Sequence, residues 1–212
     1  MSSLINEIKQ LRKLPISKKI QSRLKEFSSF ESKSQKEWFS ELCFCILTAN
    51  SRARTAIAIQ KELGAEGFCN FSDKKISTAI KNNRHRFHNN KAKFIVCARP
   101  NVDIKDKVLT IIEKEGQQQA REWIVKNIKG LGYKEASHFL RNVGYFNLAI
   151  LDRHILNLLV ENKLINEKPK SLNRKTYLEI ESIFNKLAKQ VKMVPAELDM
   201  YMWYMKTGEV LK

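Results

Sequence analysis

The stretch Ile128-Lys129-Gly130-Leu131-Gly132-Tyr133-Lys134-Glu135-Ala136 decides how this chain is read. Helical periodicity flanks it on both sides, so it describes a helix, a Gly-x-Gly turn and a second helix that opens with a lysine. Glycines at 130 and 132 let a backbone turn sharply and come close to another molecule. The first amides of the second helix have no partner within it and sit at the positive end of the helix dipole, which makes them a phosphate site. Contacts of that kind read no bases, so the element predicts an anchor on a nucleic-acid backbone without sequence preference. An ordinary structural turn shares the pattern, and the hairpin alone does not decide between the two.

Lys134 and Asp152 add chemistry. A lysine in the first helical turn, partly withdrawn from water, is favoured as the neutral amine, which is the nucleophilic form. Asp152, in Leu151-Asp152-Arg153-His154, holds the position of a helix N-cap. A cap fixes its carboxylate in place, where it can also stabilise positive charge developing on a sugar and assist proton transfer. Singly, Lys134 is one solvated lysine among many and Asp152 a cap. With the hairpin, they predict a lysine nucleophile and its carboxylate partner.

Composition agrees with a polyanion as the partner. The chain has 212 residues and a net charge of +17, from 39 basic and 22 acidic side chains. Lys81, Arg84, Arg86, Lys91, Lys93 and Arg99 fall in a stretch without an acid, which predicts a face turned toward phosphate. With 43% hydrophobic residues the chain is expected to fold around a real core. No apolar run approaches the roughly 20 residues that span a bilayer, and Met1-Ser2-Ser3-Leu4-Ile5-Asn6-Glu7 is unlike a signal segment. The expectation is therefore a chain that stays in the cytoplasm and spans no membrane, with nucleic acid ahead of an acidic membrane surface as its polyanion. Cys43, Cys45, Cys69 and Cys97 lack zinc spacing and read as free thiols in a reducing compartment.

Helical periodicity runs through the chain, and no alternating strand pattern competes with it, so the fold class is all-α. Ser17 is expected to cap a helix carrying Ile20, Leu24 and Phe27. Ser34-Gln35-Lys36-Glu37 is a capping box that opens an apolar stretch through Leu47, apolar nearly all round and so a buried helix. Thr48-Ala49-Asn50-Ser51 reads as a connection, followed by a helix from about Arg52 to Leu63, and Gly64 to Asn70 as a loop. Ser72 or Asp73 caps the next helix, and Asn89-Asn90 breaks the pattern before another that ends ahead of Pro100. Gly116 divides a helix beginning at Asp103 from one ending at Ile128. Further helices are expected over Tyr133–Asn142, Arg153–Asn162, from about Leu172, and from Pro195.

The hairpin with Lys134 and Asp152 resembles the helix-hairpin-helix superfamily of DNA glycosylases. Within it the chain is similar to the type 2 8-oxoguanine DNA glycosylase/lyases of archaea and some bacteria. The residues that carry this are Leu47-Thr48-Ala49-Asn50-Ser51, Arg86-Phe87-His88-Asn89-Asn90-Lys91-Ala92, the tail Leu198-Asp199-Met200-Tyr201-Met202-Trp203-Tyr204, and the closing Lys212. One departure is the turn itself, where Lys129-Gly130 stands in place of the Pro-Gly common in other branches. The cysteine positions exclude the C-terminal four-cysteine iron–sulfur cluster of endonuclease III relatives.

The resemblance implies two lobes with DNA bound across the cleft: residues 34–148, containing the hairpin over about 118–143, and residues 1–33 together with 149–212. It implies removal of 8-oxoguanine from duplex DNA through a Schiff base on Lys134, with Asp152 as electrostatic partner, and strand cutting by β-elimination. It places Asp199, Trp203 and Lys212 at the extruded base, with Phe87 as the wedge beside it and Asn50 near the base left behind. Gly130, Gly132, Arg84 and Lys91 would contact the DNA backbone. No cofactor is implied, although a monovalent cation on the hairpin carbonyls is common in the superfamily. Two alternatives stay open in the sequence: a non-catalytic module that only anchors a partner to DNA, and an enzyme of the same chemistry acting on an oxidised pyrimidine or a plain abasic site. For Trp203 and Phe87 simple core packing is the competing reading, and for the methionines between 193 and 205 it is the preferred one.

Overall fold

The computed structural model describes residues 2–212. Among these the chain is all-helical: α1 (Ser2–Leu11), α2 (Ile16–Ser28), α3 (Gln35–Thr48), α4 (Ala53–Asn70), α5 (Asp73–Asn82), α6 (His88–Ala98), α7 (Ile104–Glu115), α8 (Gln117–Asn127), α9 (Tyr133–Asn142), α10 (Arg153–Glu161), α11 (Arg174–Val191) and α12 (Pro195–Thr207). Two short 3-10 turns, Ser29–Ser32 and Arg99–Asn101, complete it. The capping box forms as read: Ser34 accepts from the Glu37 amide, and Glu37 Oε2 returns to the Ser34 amide at 2.9 Å. From Trp38 to Thr48, α3 is buried on every side.

Two hydrophobic cores result. The first gathers side chains between Trp38 and Leu148, with Phe39, Phe44, Phe68 and Phe139 among its largest. The second joins Leu4, Ile8, Ile20 and Phe27 from the start of the chain to Ile155, Tyr177, Phe184, Leu198 and Tyr201 from its later part. Burial of this kind is strong but non-directional. Buried ion pairs supply direction across the boundary, because Arg121 on α8 meets Glu181 on α11, and Arg141 on α9 meets Asp199 on α12.

Several local expectations need correction. Gly64 does not open a loop: at φ 61° it bends α4, and the helix resumes to Asn70, burying Phe68 in the first core. Asn89 and Asn90 lie in the first turn of α6, where Asn89 Oδ1 accepts from the Ser77 hydroxyl at 2.8 Å. The break comes earlier, over 83–87, where Arg84 takes a left-handed φ of 58°. Ser17 lies within α2, behind an N-cap at Pro15. The sequence reading assigned nothing to the first eleven residues, yet α1 forms there and buries Leu4 and Ile8, one helical turn apart.

Arg121 is fully buried and grips Glu181 with two bonds, Nη1 to Oε1 at 2.6 Å and Nη2 to Oε2 at 2.7 Å. Removing one partner strands the other charge away from water, at a cost of about 3–5 kcal/mol. Glu181→Ala is therefore expected to lose about that much unfolding free energy in a urea titration. A loss below about 1 kcal/mol, as for a surface pair, would contradict this burial.

Candidate active site

The hairpin is shaped by one obligatory glycine. Gly130 sits at φ 93°, and a Cβ there would lie 2.5 Å from Phe94 Cδ2. Gly132 corrects the expectation of a second sharp turn, since its φ of −97° and ψ of −172° are extended and open to other residues. Its N–H donates to Glu135 Oε2 at 3.3 Å. Lys134 follows in the first turn of α9, its side chain 22% exposed and its Nζ 3.5 Å from Glu135 Oε1.

Asp152 is the N-cap of α10. Its Oδ1 accepts from the His154 and Ile155 amides at 2.8 and 2.9 Å, which leaves Oδ2 outside the cap. The carboxylate is thus oriented by the backbone with one oxygen to spare. Asp152 and Lys134 both act electrostatically on Asp199, so the three residues from α10, α9 and α12 share one neighbourhood.

Asp199 is buried, and its Oδ2 accepts from Arg141 Nη1 at 2.6 Å. Burial pushes its carboxyl up to about 7, against the opposing pull of Arg141 and with added repulsion from Asp152. The same burial lowers Arg141 from the ordinary guanidinium value. Lys212 comes back from the chain end to pair with the buried Glu41, its ammonium 4.5 Å from the centre of the Phe44 ring. Glu41 also accepts from Asn142 Nδ2 at 3.1 Å and from Gln60 Nε2 at 3.0 Å. Trp203, half-buried, meets His154 edge-on with centroids 6.4 Å apart.

His138 completes the cluster and was not singled out in the sequence. It lies one turn beyond Lys134, edge-on to Phe44 at 5.7 Å, and neither ring nitrogen has a hydrogen-bond partner. Burial, then the positive charges of Arg141, Lys134 and Lys212, hold its pKa well below the ordinary imidazole value, so the ring is neutral. A signal was present: Lys134, His138 and Arg141 follow helical spacing and form a polar stripe on one face of α9. Among the described residues, no group of three or more His, Cys, Asp or Glu side chains is arranged to hold a metal ion, and no helix is long and apolar enough to cross a membrane.

Away from this cluster, the end of α3 organises the turn that carries Phe87. The last carbonyls of a helix need outside donors. Here Cys45 O accepts from Thr48 Oγ1 at 2.9 Å, Ile46 O from Lys91 Nζ at 2.7 Å, and Thr48 O from the Ser51 amide at 3.1 Å. Leu47 O lies 3.0 Å from His85 Nε2. These bonds tie the turn over 84–87 to the helix end that Asn50 follows. Asn50 itself is exposed at a left-handed φ of 60°. Phe87 remains 41% exposed, with the Arg86 guanidinium 5.4 Å from its ring.

Lys91 is thereby corrected. It is 5% exposed and serves Ile46 O, so it does not face a DNA backbone. Burial lowers its pKa from 10.5 to about 8. Arg99 is likewise used inside, donating to Phe68 O at 2.9 Å and to Phe71 O. Arg84 stays exposed and available.

The family model described as 8-oxoguanine DNA glycosylase matches residues 20–193. The 8-oxoguanine DNA glycosylase/AP lyase of Methanocaldococcus jannaschii is 51% identical over 210 residues, covering 99% of both chains. That of Korarchaeum cryptofilum is 41% identical over 212 residues, covering 100% of this chain and 99% of its own. The crystal structure of the Methanocaldococcus jannaschii glycosylase/lyase in complex with a 15mer DNA containing 8-oxoguanine superposes with a TM-score of 0.95, at 50% identity, over 99% of this chain and 100% of that one. The 8-oxoguanine DNA glycosylase of Thermotoga maritima gives 0.93 at 37% identity, over 100% and 99%.

The environment of Lys91 predicts a pH signature. Its folded pKa is depressed, so between about 8 and 10.5 the unfolded chain keeps a proton that the native form has released. Its contribution to stability therefore rises through that window, by on the order of 3 kcal/mol, and is lost as pH falls through 8. Urea titrations across this range should show wild-type stability gaining on Lys91→Met. Parallel curves would contradict the burial. On undamaged duplex, Arg84→Ala should flatten the fall of log affinity with log salt, and Lys91→Met should not.

Proposed function

The chain belongs to the 8-oxoguanine DNA glycosylase family, and on that premise we infer that it removes 8-oxoguanine from DNA and cuts the strand at the site left behind. One observation carries the reading. Lys134, the oriented carboxylate of Asp152 and Lys212 converge in a molecule that matches glycosylase/lyases along its whole length. That full-length match weighs against a module that only anchors a partner to DNA, and the repeated pairing with 8-oxoguanine weighs against a pyrimidine lesion.

The glycosidic bond is out of reach within the stacked duplex, so the damaged nucleotide must be turned out into the site. Lys134 Nζ then attacks C1′ as the bond to the base breaks. Positive charge builds on the sugar during this step, and the free Asp152 Oδ2 stabilises it. Opening of the sugar ring gives an iminium on Lys134. Loss of a C2′ proton expels the 3′ phosphate, and water releases the lysine. This sequence requires only the side chains and water, and a monovalent cation on the hairpin carbonyls would serve DNA binding.

The damaged base differs from guanine at its C8 carbonyl and at N7, which becomes a donor. An acceptor placed there gains a bond from the lesion and meets a lone pair on the normal base, a difference of about 1–3 kcal/mol. In this reading Lys212, its ammonium held by Glu41, lies at the wall that meets this edge of the base. Trp203 offers a stacking face, and Asp199, sealed by Arg141, forms part of the pocket wall. Phe87 wedges into the gap, Asn50 approaches the base left behind, and Arg84 with the Gly130–Gly132 turn holds phosphates. The enzyme acts as a monomer alongside the DNA of a prokaryotic cell.

Duplexes carrying a single 8-oxoguanine test the assignment. Lys134→Gln should abolish both strand cutting and borohydride cross-linking. Asp152→Asn keeps the cap and should retain lesion binding while losing about 2.7–4 kcal/mol of transition-state stabilisation. Normal turnover by either variant would reject the role given to that residue.

A further inference from the structure

Lys134 and Asp152 stand on different helices, and their joint chemistry requires a fixed spacing between them. One buried cluster touches the segments that carry both. On the lysine side, Tyr133 directly precedes Lys134, and Ser137 follows one turn later. The Arg121 guanidinium lies 5.5 Å from the Tyr133 ring and donates to Ser137 Oγ at 3.2 Å. Arg121 also lies 5.4 Å from the Tyr177 ring, and the two tyrosine rings have centroids 5.4 Å apart.

On the aspartate side, residues 149–151 run into Asp152 outside any helix, so their buried amides and carbonyls need side-chain partners. Helix α11 supplies them. Glu181 Oε1 accepts from the Ala149 amide at 3.0 Å. The Tyr177 hydroxyl donates to Ala149 O at 2.7 Å and accepts from the Leu151 amide at 3.3 Å. Its one proton is then used, so the 3.4 Å contact with Ser137 has the serine as donor. A single buried oxygen thus bonds the helix of Lys134 and both ends of the segment that delivers Asp152. Ring packing alone would be served equally by phenylalanine.

We propose that Tyr177 is a positioning residue for base excision, its hydroxyl setting where the Asp152 carboxylate stands relative to Lys134. The inference rests on the roles assigned to Lys134 and Asp152. A displacement of roughly 1 Å in such a constellation slows a reaction by up to about a hundredfold.

Single-turnover excision from an 8-oxoguanine duplex tests it, with lesion-duplex affinity measured in parallel. Tyr177→Phe is expected to slow excision by about 10- to 100-fold while leaving affinity unchanged. Combined with Asp152→Asn, it should add no further slowing, because the placement of a carboxylate that has been removed no longer matters. Should Tyr177→Phe not fold, Ser137→Ala removes the link on the helix side, and its smaller slowing should vanish on the same background. Slowing that multiplies with that of Asp152→Asn would overturn the inference by showing that Tyr177 acts elsewhere. Full-speed Tyr177→Phe beside slow Asp152→Asn would overturn it and leave the active-site assignment standing. Full-speed Asp152→Asn would remove the assignment and the inference together.

Discussion

A guanidinium shut off from water, that of Arg121, meets the Glu181 carboxylate at the boundary between two hydrophobic cores, and the geometry of the molecule follows from that meeting. Apolar packing holds each core together but tolerates small shifts between them. A bidentate pair does not, because its two bonds form in one orientation and an unpaired charge there is costly. Arg141 with Asp199 and Lys212 with Glu41, each joined through one bond, add ion pairs nearer the site. Stability alone would not call for these charges, since well-packed apolar side chains often serve as well. Their value lies in register: the helix of Lys134 and the helix that Asp152 caps come from opposite sides of this boundary.

The site these pairs frame is strongly charged and closely balanced. Lys134, Arg141 and Lys212 bring three positive charges, against Glu41, Asp152 and Asp199. His138 stays neutral among them, for burial and three positive neighbours both oppose its protonation. Asp199 is held up to about 7 by its loss of water even with Arg141 at 2.6 Å. Asp152 stands apart from this burial as a cap with a free oxygen. Two carboxylates in one neighbourhood thus have different environments, one fixed by Arg141 in the interior and one held by the backbone with an oxygen to spare.

Much of this was legible in the sequence, and the exceptions have physical causes. The hairpin, the bounds of α9 and the Asp152 cap were readable because each depends on local chemistry: a glycine where φ is positive, a polar cap, a helical period. Gly64 misled because a single left-handed residue can bend a helix as well as end it. Lys91 misled because a basic run reads as a solvated face, whereas this lysine turns inward to a carbonyl left bare at the end of α3. Arg121, Glu181, Tyr177 and Glu41 were silent for another reason. Their partners lie far away in the chain, and no local pattern records a meeting that only the tertiary fold creates.

The central claim is that the amine of Lys134 becomes covalently bound to the sugar, and it can be located directly. The protein would be reduced with borohydride while acting on a duplex with one 8-oxoguanine, then digested with protease and nuclease, and the modified peptide sequenced by mass spectrometry. The account predicts the sugar remnant on Lys134 Nζ alone. A remnant on Lys212 or on any other amine would contradict it.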